Sequence, residues 1–186
     1  MLQNTSKRYG AVTKFFHWTI FILFVVQFTI GFMIMGVATG EEFDSSLLSQ
    51  IDFHKSLGLL ILMIVVLRII WRRISTLPDW AETLTERERN RSHWIERLLY
   101  FVMIFKPLSG ITLALADGQN IPFFGLFTIP NFTGESEVLF TISLIFHIVT
   151  GLTFFVVWFA HIGLVLKHQF GNRDRLLNRM LPFTKQ

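Results

Sequence analysis

Two stretches of this chain, Phe15 to Gly40 and Val138 to Leu166, contain no charged residue. Each exceeds the roughly 20 residues a helix needs to cross the hydrocarbon core of a bilayer. A spanning helix bonds its own backbone amides internally, which lipid cannot do for it. Two further apolar runs are less clean. One extends from about Ser56 to Ile70 and is closed by Arg68, Arg72 and Arg73, whose long stems reach the interface. The other extends from about Leu98 to Ala116 and is interrupted by Lys106 and Pro107, which mark a kink and a residue facing protein or water. The first span is too long, and too poor in a small-residue cleavage site, for a removable signal peptide, and reads as a membrane helix. A composition that is 52% hydrophobic with 21 phenylalanines agrees. The expected fold is all-α, a transmembrane four-helix bundle forming a single membrane domain over 1–186. Its helices are expected at about 15–37, 53–72, 96–116 and 138–168, with an outer lid loop at about 117–137.

Charge sets the orientation. All of the 17 Lys and Arg except Lys55 and Lys106 lie before the first span, between the second and third, or after the fourth. The opposite loops hold Glu41, Glu42, Asp44, Asp52, Asp117, Glu135 and Glu137. The positive-inside rule then puts the N and C termini in the cytoplasm. The same distribution argues against nucleic acid, since the basic residues flank apolar spans and form no continuous stripe. There is no cysteine, so disulfides, thiolate metal sites and the usual iron–sulfur ligands are excluded.

Within the spans the histidines acquire depths. His147 and His161 are fourteen residues apart, a rise of about 21 Å with a residual rotation of about 40 degrees, so they share one face at opposite membrane borders. His54 begins the second helix at the outer border and matches His147 in depth. His17 begins the first at the inner border and matches His161. Two facing imidazoles at each of two depths suit bis-histidine ligation of haem iron, with the apolar macrocycle filling the space between helices. Zinc fits less well because no carboxylate or thiolate supports either pair. A single membrane histidine would equally serve to bond a neighbouring helix, and it is the pairing of four that favours ligation.

Neighbouring residues suit the same reading. Gly31 lies on nearly the same face as His17 but at the outer level, and Gly58 and Gly151 lie four residues after His54 and His147. Each would leave room for a flat macrocycle, although small residues also serve ordinary helix packing. Arg68 is fourteen residues after His54 and reaches the inner level. Its guanidinium would pair with a haem propionate there, with Arg72 one turn on; the alternative is a basic cluster that only sets topology.

The segments YGAVTKFFHWTIF, HKSLGLLILMIVVLRIIWR, LLYFVMIFKPLSG and FHIVTGLTFFVVWFAH, in that order, resemble the bacterial cytochrome b561 family over nearly the whole chain. The resemblance implies a four-helix bundle in the bacterial inner membrane holding two haem b groups. It also implies His17, His54, His147 and His161 as iron ligands and electron transfer between a small outer-side donor and the quinone pool. Some members of that family oxidise superoxide and pass its electron to ubiquinone, and others serve different donors. Two other functions stay open at this point: a haem-bearing membrane anchor for a partner redox subunit, and a proton or metal transporter with paired histidines.

Two histidines remain. His168 lies about 10 Å beyond His161 on almost the same face, which predicts a position at the cytoplasmic surface. There it would bind a quinone carbonyl or relay a proton, or else stand as an exposed interfacial residue. His93 lies in TERERNRSHWIERLLY, an amphipathic stretch expected along the cytoplasmic surface. Its position resembles one often occupied by histidine in the family, but where members carry a second histidine three residues on, this chain has Glu96. The loop GQNIPFFGLFTIPNFTGESE, with Pro122 and Pro130, reads as a lid over the outer haem. Lys55 would draw an anionic donor or propionate, weakly, among several acids. The tail LLNRMLPFTKQ reads as a solvated or interfacial end.

Overall fold

A computed structural model describes residues 1–38, 45–174 and 176–182. The charged residues Glu41, Glu42, Asp44, Arg175 and Lys185, used above for orientation, lie outside them. Four long helices form: α1 (Ala11–Ala38), α2 (Ser45–Ile74), α3 (Glu86–Ala116) and α4 (Glu137–Leu166). All four are long and apolar enough to cross a membrane. Apart from the charged first turns of α3, much of their outward surface is apolar, with Phe15, Val138, Val156 and Phe159 each more than 60% exposed. In water such a surface would drive aggregation, whereas in a bilayer it faces its own solvent.

α1 packs on α2, α2 on α3 and α3 on α4. Among the described residues no Cα of α4 comes within 8 Å of one in α1 or α2. That side of the bundle is joined by large side chains alone. Phe24 stacks on Phe154 with ring centres 4.5 Å apart, Phe28 meets Phe155 at 4.3 Å, and Phe21 meets Trp158 at 5.9 Å. Phe24 and Phe154 also belong to the buried core with Ile61, Val65 and Val102. This core occupies the middle of the bundle, between the levels of the two histidine pairs.

α3 begins well before its apolar run. Thr85 caps it: the Thr85 hydroxyl accepts from the Glu88 amide and the Glu88 carboxylate accepts from the Thr85 amide. The stretch expected to lie along the membrane surface is therefore the first three turns of α3, since the cap and the helical backbone run on into the span. His93 sits on those turns, exposed, with the edge of Trp80 at 4.8 Å.

The connection from α3 to α4 adds a small β-element to the expected all-α fold. Strands β1 (Ile121–Phe123) and β2 (Phe127–Ile129) pair antiparallel, with Phe123 opposite Phe127. Phe124 and Gly125 turn the chain with φ of 49° and 74°, and the Leu126 amide bonds the Phe123 carbonyl. Two successive positive φ values match the right-handed twist of the strands they join. The hairpin is fixed to α2 through Ser56, whose hydroxyl accepts from the Phe124 amide at 3.1 Å and donates to the Pro122 carbonyl at 2.9 Å. We call this end of the bundle the lid side.

Both described ends of the chain meet at the other end, the terminal side. The tail was expected to be a solvated or interfacial end, and its described residues are docked: Trp18 Nε1 donates to the Met180 carbonyl and Lys14 Nζ to the Leu181 carbonyl. The tail's carbonyls find donors at the start of α1.

Candidate haem sites

At the terminal side, the rings of His17 in α1 and His161 in α4 face each other with centres 6.2 Å apart and planes at 55°. Trp18 sets its edge against His17 at 5.5 Å. Arg68 lies close enough to act electrostatically on both imidazoles. Its Nε donates to the Tyr100 hydroxyl at 3.2 Å, and its guanidinium lies over the Tyr100 ring. Arg72, one turn on, is engaged by Glu96 at 2.8 Å.

At the lid side, His54 in α2 and His147 in α4 have ring centres 6.4 Å apart and planes at 70°. His147 Nδ1 is 3.0 Å from the Lys106 carbonyl and 3.0 Å from the Ser109 hydroxyl. A carbonyl only accepts, so that contact puts the ring proton on Nδ1 and leaves the Nε2 lone pair for a ligand bond. Lys106 returns the contact, its Nζ donating to the His147 carbonyl at 2.8 Å. Among the described residues His54 Nδ1 is buried with no hydrogen-bond partner, while Gln27 donates to the His54 carbonyl at 3.0 Å.

The glycines divide by what they face. A Cβ on Gly31 would stand 3.3 Å from the His54 ring, so this glycine does adjoin the lid-side pair. On Gly151 it would stand 2.9 Å from Lys106 Nζ, and on Gly58 3.4 Å from Gln27 Nε2. The clefts at Gly151 and Gly58 thus admit side chains of neighbouring helices, where room for a macrocycle had been expected. Gly110 was not anticipated: a Cβ there would lie 3.0 Å from His147 Cε1. Its place four residues after Lys106, in the lid-side part of α3, was the available signal.

His168 stands elsewhere than expected. It has no exposed surface. A π-helical turn, Lys167–Asn172, follows α4 and ends at Arg173 in the left-handed conformation. The turn carries the imidazole inward, where Nδ1 is 2.5 Å from Asp174 and Nε2 is 3.4 Å from Glu88. Nδ1 is taken by Asp174, and Nε2, near Glu88 but without a hydrogen bond among the described residues, is buried away from the surface where a quinone was expected. Lys55 is likewise occupied, by Asp52 at 3.2 Å and Gln119 at 2.5 Å.

The family model for prokaryotic cytochrome b561 matches residues 8–183, nearly the whole chain. The chain belongs to the prokaryotic cytochrome b561 family. It is 29% identical to "Cytochrome b561 homolog 2" of Escherichia coli (strain K12), over 96% of this chain and 93% of that protein. It is 24% identical to "Cytochrome b561 homolog 1" of the same organism, over 96% of this chain and 99% of that one. Membership in the family gives this multi-pass membrane protein haem b as cofactor and transmembrane electron transfer as its role.

The residues present fit that cofactor. Two imidazoles on opposite sides of one metal, with metal–nitrogen bonds of about 2 Å and ring nitrogens about 1.2 Å from their ring centres, stand about 6.4 Å apart. The two pairs stand at 6.2 and 6.4 Å. Among the described residues no group of three or more His, Asp or Glu side chains gathers to hold a bare metal ion. Paired imidazoles without further ligands suit iron whose other four positions are filled by a macrocycle.

Proposed function

We propose that the protein holds two haem b groups, one between His17 and His161 and one between His54 and His147, and carries single electrons from a lid-side donor to membrane quinone. In this reading the basic terminal side is cytoplasmic and the membrane is the bacterial inner membrane. The observation that carries it is the centroid separation of both pairs, each that of two imidazoles sharing one metal.

Bound haem iron supplies reversible one-electron exchange between its ferric and ferrous states. The chain's own residues do the rest. Each histidine pair joins α4 to a helix that its backbone does not touch, so ligation would add to the aromatic contacts that hold α4 in place. Arg68 places a cation beside the terminal-side pair, where it would hold a propionate and favour the more negative, reduced state. The aromatic ladder of Phe24, Phe28, Phe154 and Phe155 excludes water between the two levels. On the lid side Lys55 is engaged by Asp52 and Gln119.

A reduced-minus-oxidised spectrum of the purified protein, with the haem-to-protein ratio, tests the reading. A ratio of two and reoxidation by a soluble quinone are expected. A ratio of one or zero would overturn it. A soluble subunit co-purifying in equal amount would instead favour the anchor role.

A further inference from the structure

Lys106 is a lysine in the lid-side half of a membrane-spanning helix, half-buried between α3 and α4. A charged side chain at that depth is expensive, and it persists only where the surroundings hold it. Here they do. Its ammonium donates to the His147 carbonyl at 2.8 Å and lies in the cleft left by Gly151, where a Cβ would be 2.9 Å from Nζ and 3.3 Å from Cε. The cleft has room for the lysine because that position has no side chain. In the other direction, the Lys106 carbonyl accepts from His147 Nδ1 and from the Ser109 hydroxyl. Residue 106 therefore grips residue 147 twice, at its ring and at its backbone. Among the described residues no carboxylate pairs with this ammonium.

We propose that Lys106 is a positioning residue of the lid-side haem site, whose uncompensated charge, held at the backbone of His147, raises the reduction potential there. This rests on His54 and His147 holding a haem. Adding an electron makes the centre more negative, and a nearby cation in a poorly screened environment favours that state. The lid-side centre then accepts an electron from a weaker reductant than a neutral residue at 106 would allow. A hydrogen bond that only tethered α4 to α3 would also require the donor, but it would leave the potential unmoved when the charge alone is removed.

Spectroelectrochemical titration of the purified holoprotein separates these. The wild-type haem-to-protein ratio is read first, and the lid-side signal is identified as the one lost in His54→Ala. If the wild type carries no haem there, the parent reading fails, and this proposal with it. With haem present, Lys106→Gln keeps a donor for the His147 carbonyl and removes the charge. It should lower the lid-side reduction equilibrium constant about tenfold or more, leaving the terminal-side centre in place. Lys106→Arg should stay closer to wild type. If Lys106→Gln loses the lid-side haem, Gly151→Ala carries the test, since its Cβ displaces the ammonium while every ligand remains; a lowered lid-side potential is again expected. An unchanged lid-side potential in whichever variant retains the haem would overturn the proposal while leaving the haem reading intact.

Discussion

His17 and His161 face each other across a gap that no backbone spans: their rings are 6.2 Å apart, yet the Cα atoms of α1 and α4 all stay more than 8 Å from one another. The same holds for His54 and His147. Each pair should therefore behave as a unit. His17→Ala and His161→Ala are expected to remove one and the same haem signal, and His54→Ala and His147→Ala the other, each halving the haem-to-protein ratio. Loss of the same signal from His17→Ala and His54→Ala would break the pairing.

A side chain at position 110 would press more closely on His147 than one at position 31 would on His54. A methyl group at 110 would meet His147 Cε1 at 3.0 Å, and that ring is already tied at Nδ1, so it yields only by stretching a hydrogen bond. Overpacking of this kind costs about 1–3 kcal/mol. Gly110→Ala should deplete the lid-side haem or shift its absorbance, and Gly31→Ala, at 3.3 Å, should do so less. Gly163→Ala, where a Cβ meets nothing within 4 Å, is the control. Equal behaviour of Gly110→Ala and Gly163→Ala would remove Gly110 from the site.

His168 holds two buried carboxylates apart. Replacing it by alanine leaves Glu88 and Asp174 without the group between them, removes the hydrogen bond between Asp174 and the ring, and opens a cavity where a fully buried imidazole stood. Lys167, 2.6 Å from Glu88, offsets part of this. His168→Ala should lower the thermal midpoint for loss of haem absorbance while leaving reoxidation by quinone unchanged in the folded fraction. A variant of wild-type stability that reoxidises slowly would return the imidazole to the quinone site.

Asp174 adds a pH dependence. Burial works to raise the pKa of its carboxyl, but hydrogen bonds from His168 and Thr83 outweigh this and hold it below the ordinary value of 3.8. A depressed carboxylate pKa gives stability that is present above the ordinary value and lost as pH falls through the folded one. Acid should therefore release the turn after α4, seen as protease cleavage of the tail below about pH 4. Asp174→Asn should be cleaved more readily than wild type at neutral pH and change less with acid. Cleavage of both proteins at the same pH would dissociate the tail from this carboxylate.

Much of the site could be read from the chain because depth in a membrane helix is proportional to residue number. Fourteen residues between His147 and His161, read against the starts of α1 and α2, were enough to group four rings into two pairs. What fills a cleft is another matter. Whether Gly151 faces a macrocycle or Lys106 depends on how far α3 is rotated against α4, and spacing within one helix does not encode that. An α-helical count from His161 puts His168 at the surface, whereas the chain takes a π-turn over Lys167–Asn172, which has no signature in the sequence, and the imidazole is buried. The hairpin leaves little trace in the sequence because strands of three residues are too short to show a period, and because Phe124 is an unusual residue to adopt positive φ.

α4 is the last of the four helices in the chain and contributes one histidine to each pair. During synthesis, then, a membrane-inserted intermediate with α1, α2 and α3 in place contains His17 and His54 but neither partner. Both pairs are completed by the arrival of a single helix, and the tail that follows it fastens to Lys14 and Trp18 at the start of the first. Assembly of the two sites is thus a late, shared event in biogenesis, and a ribosome stalled before residue 147 leaves neither of them formed.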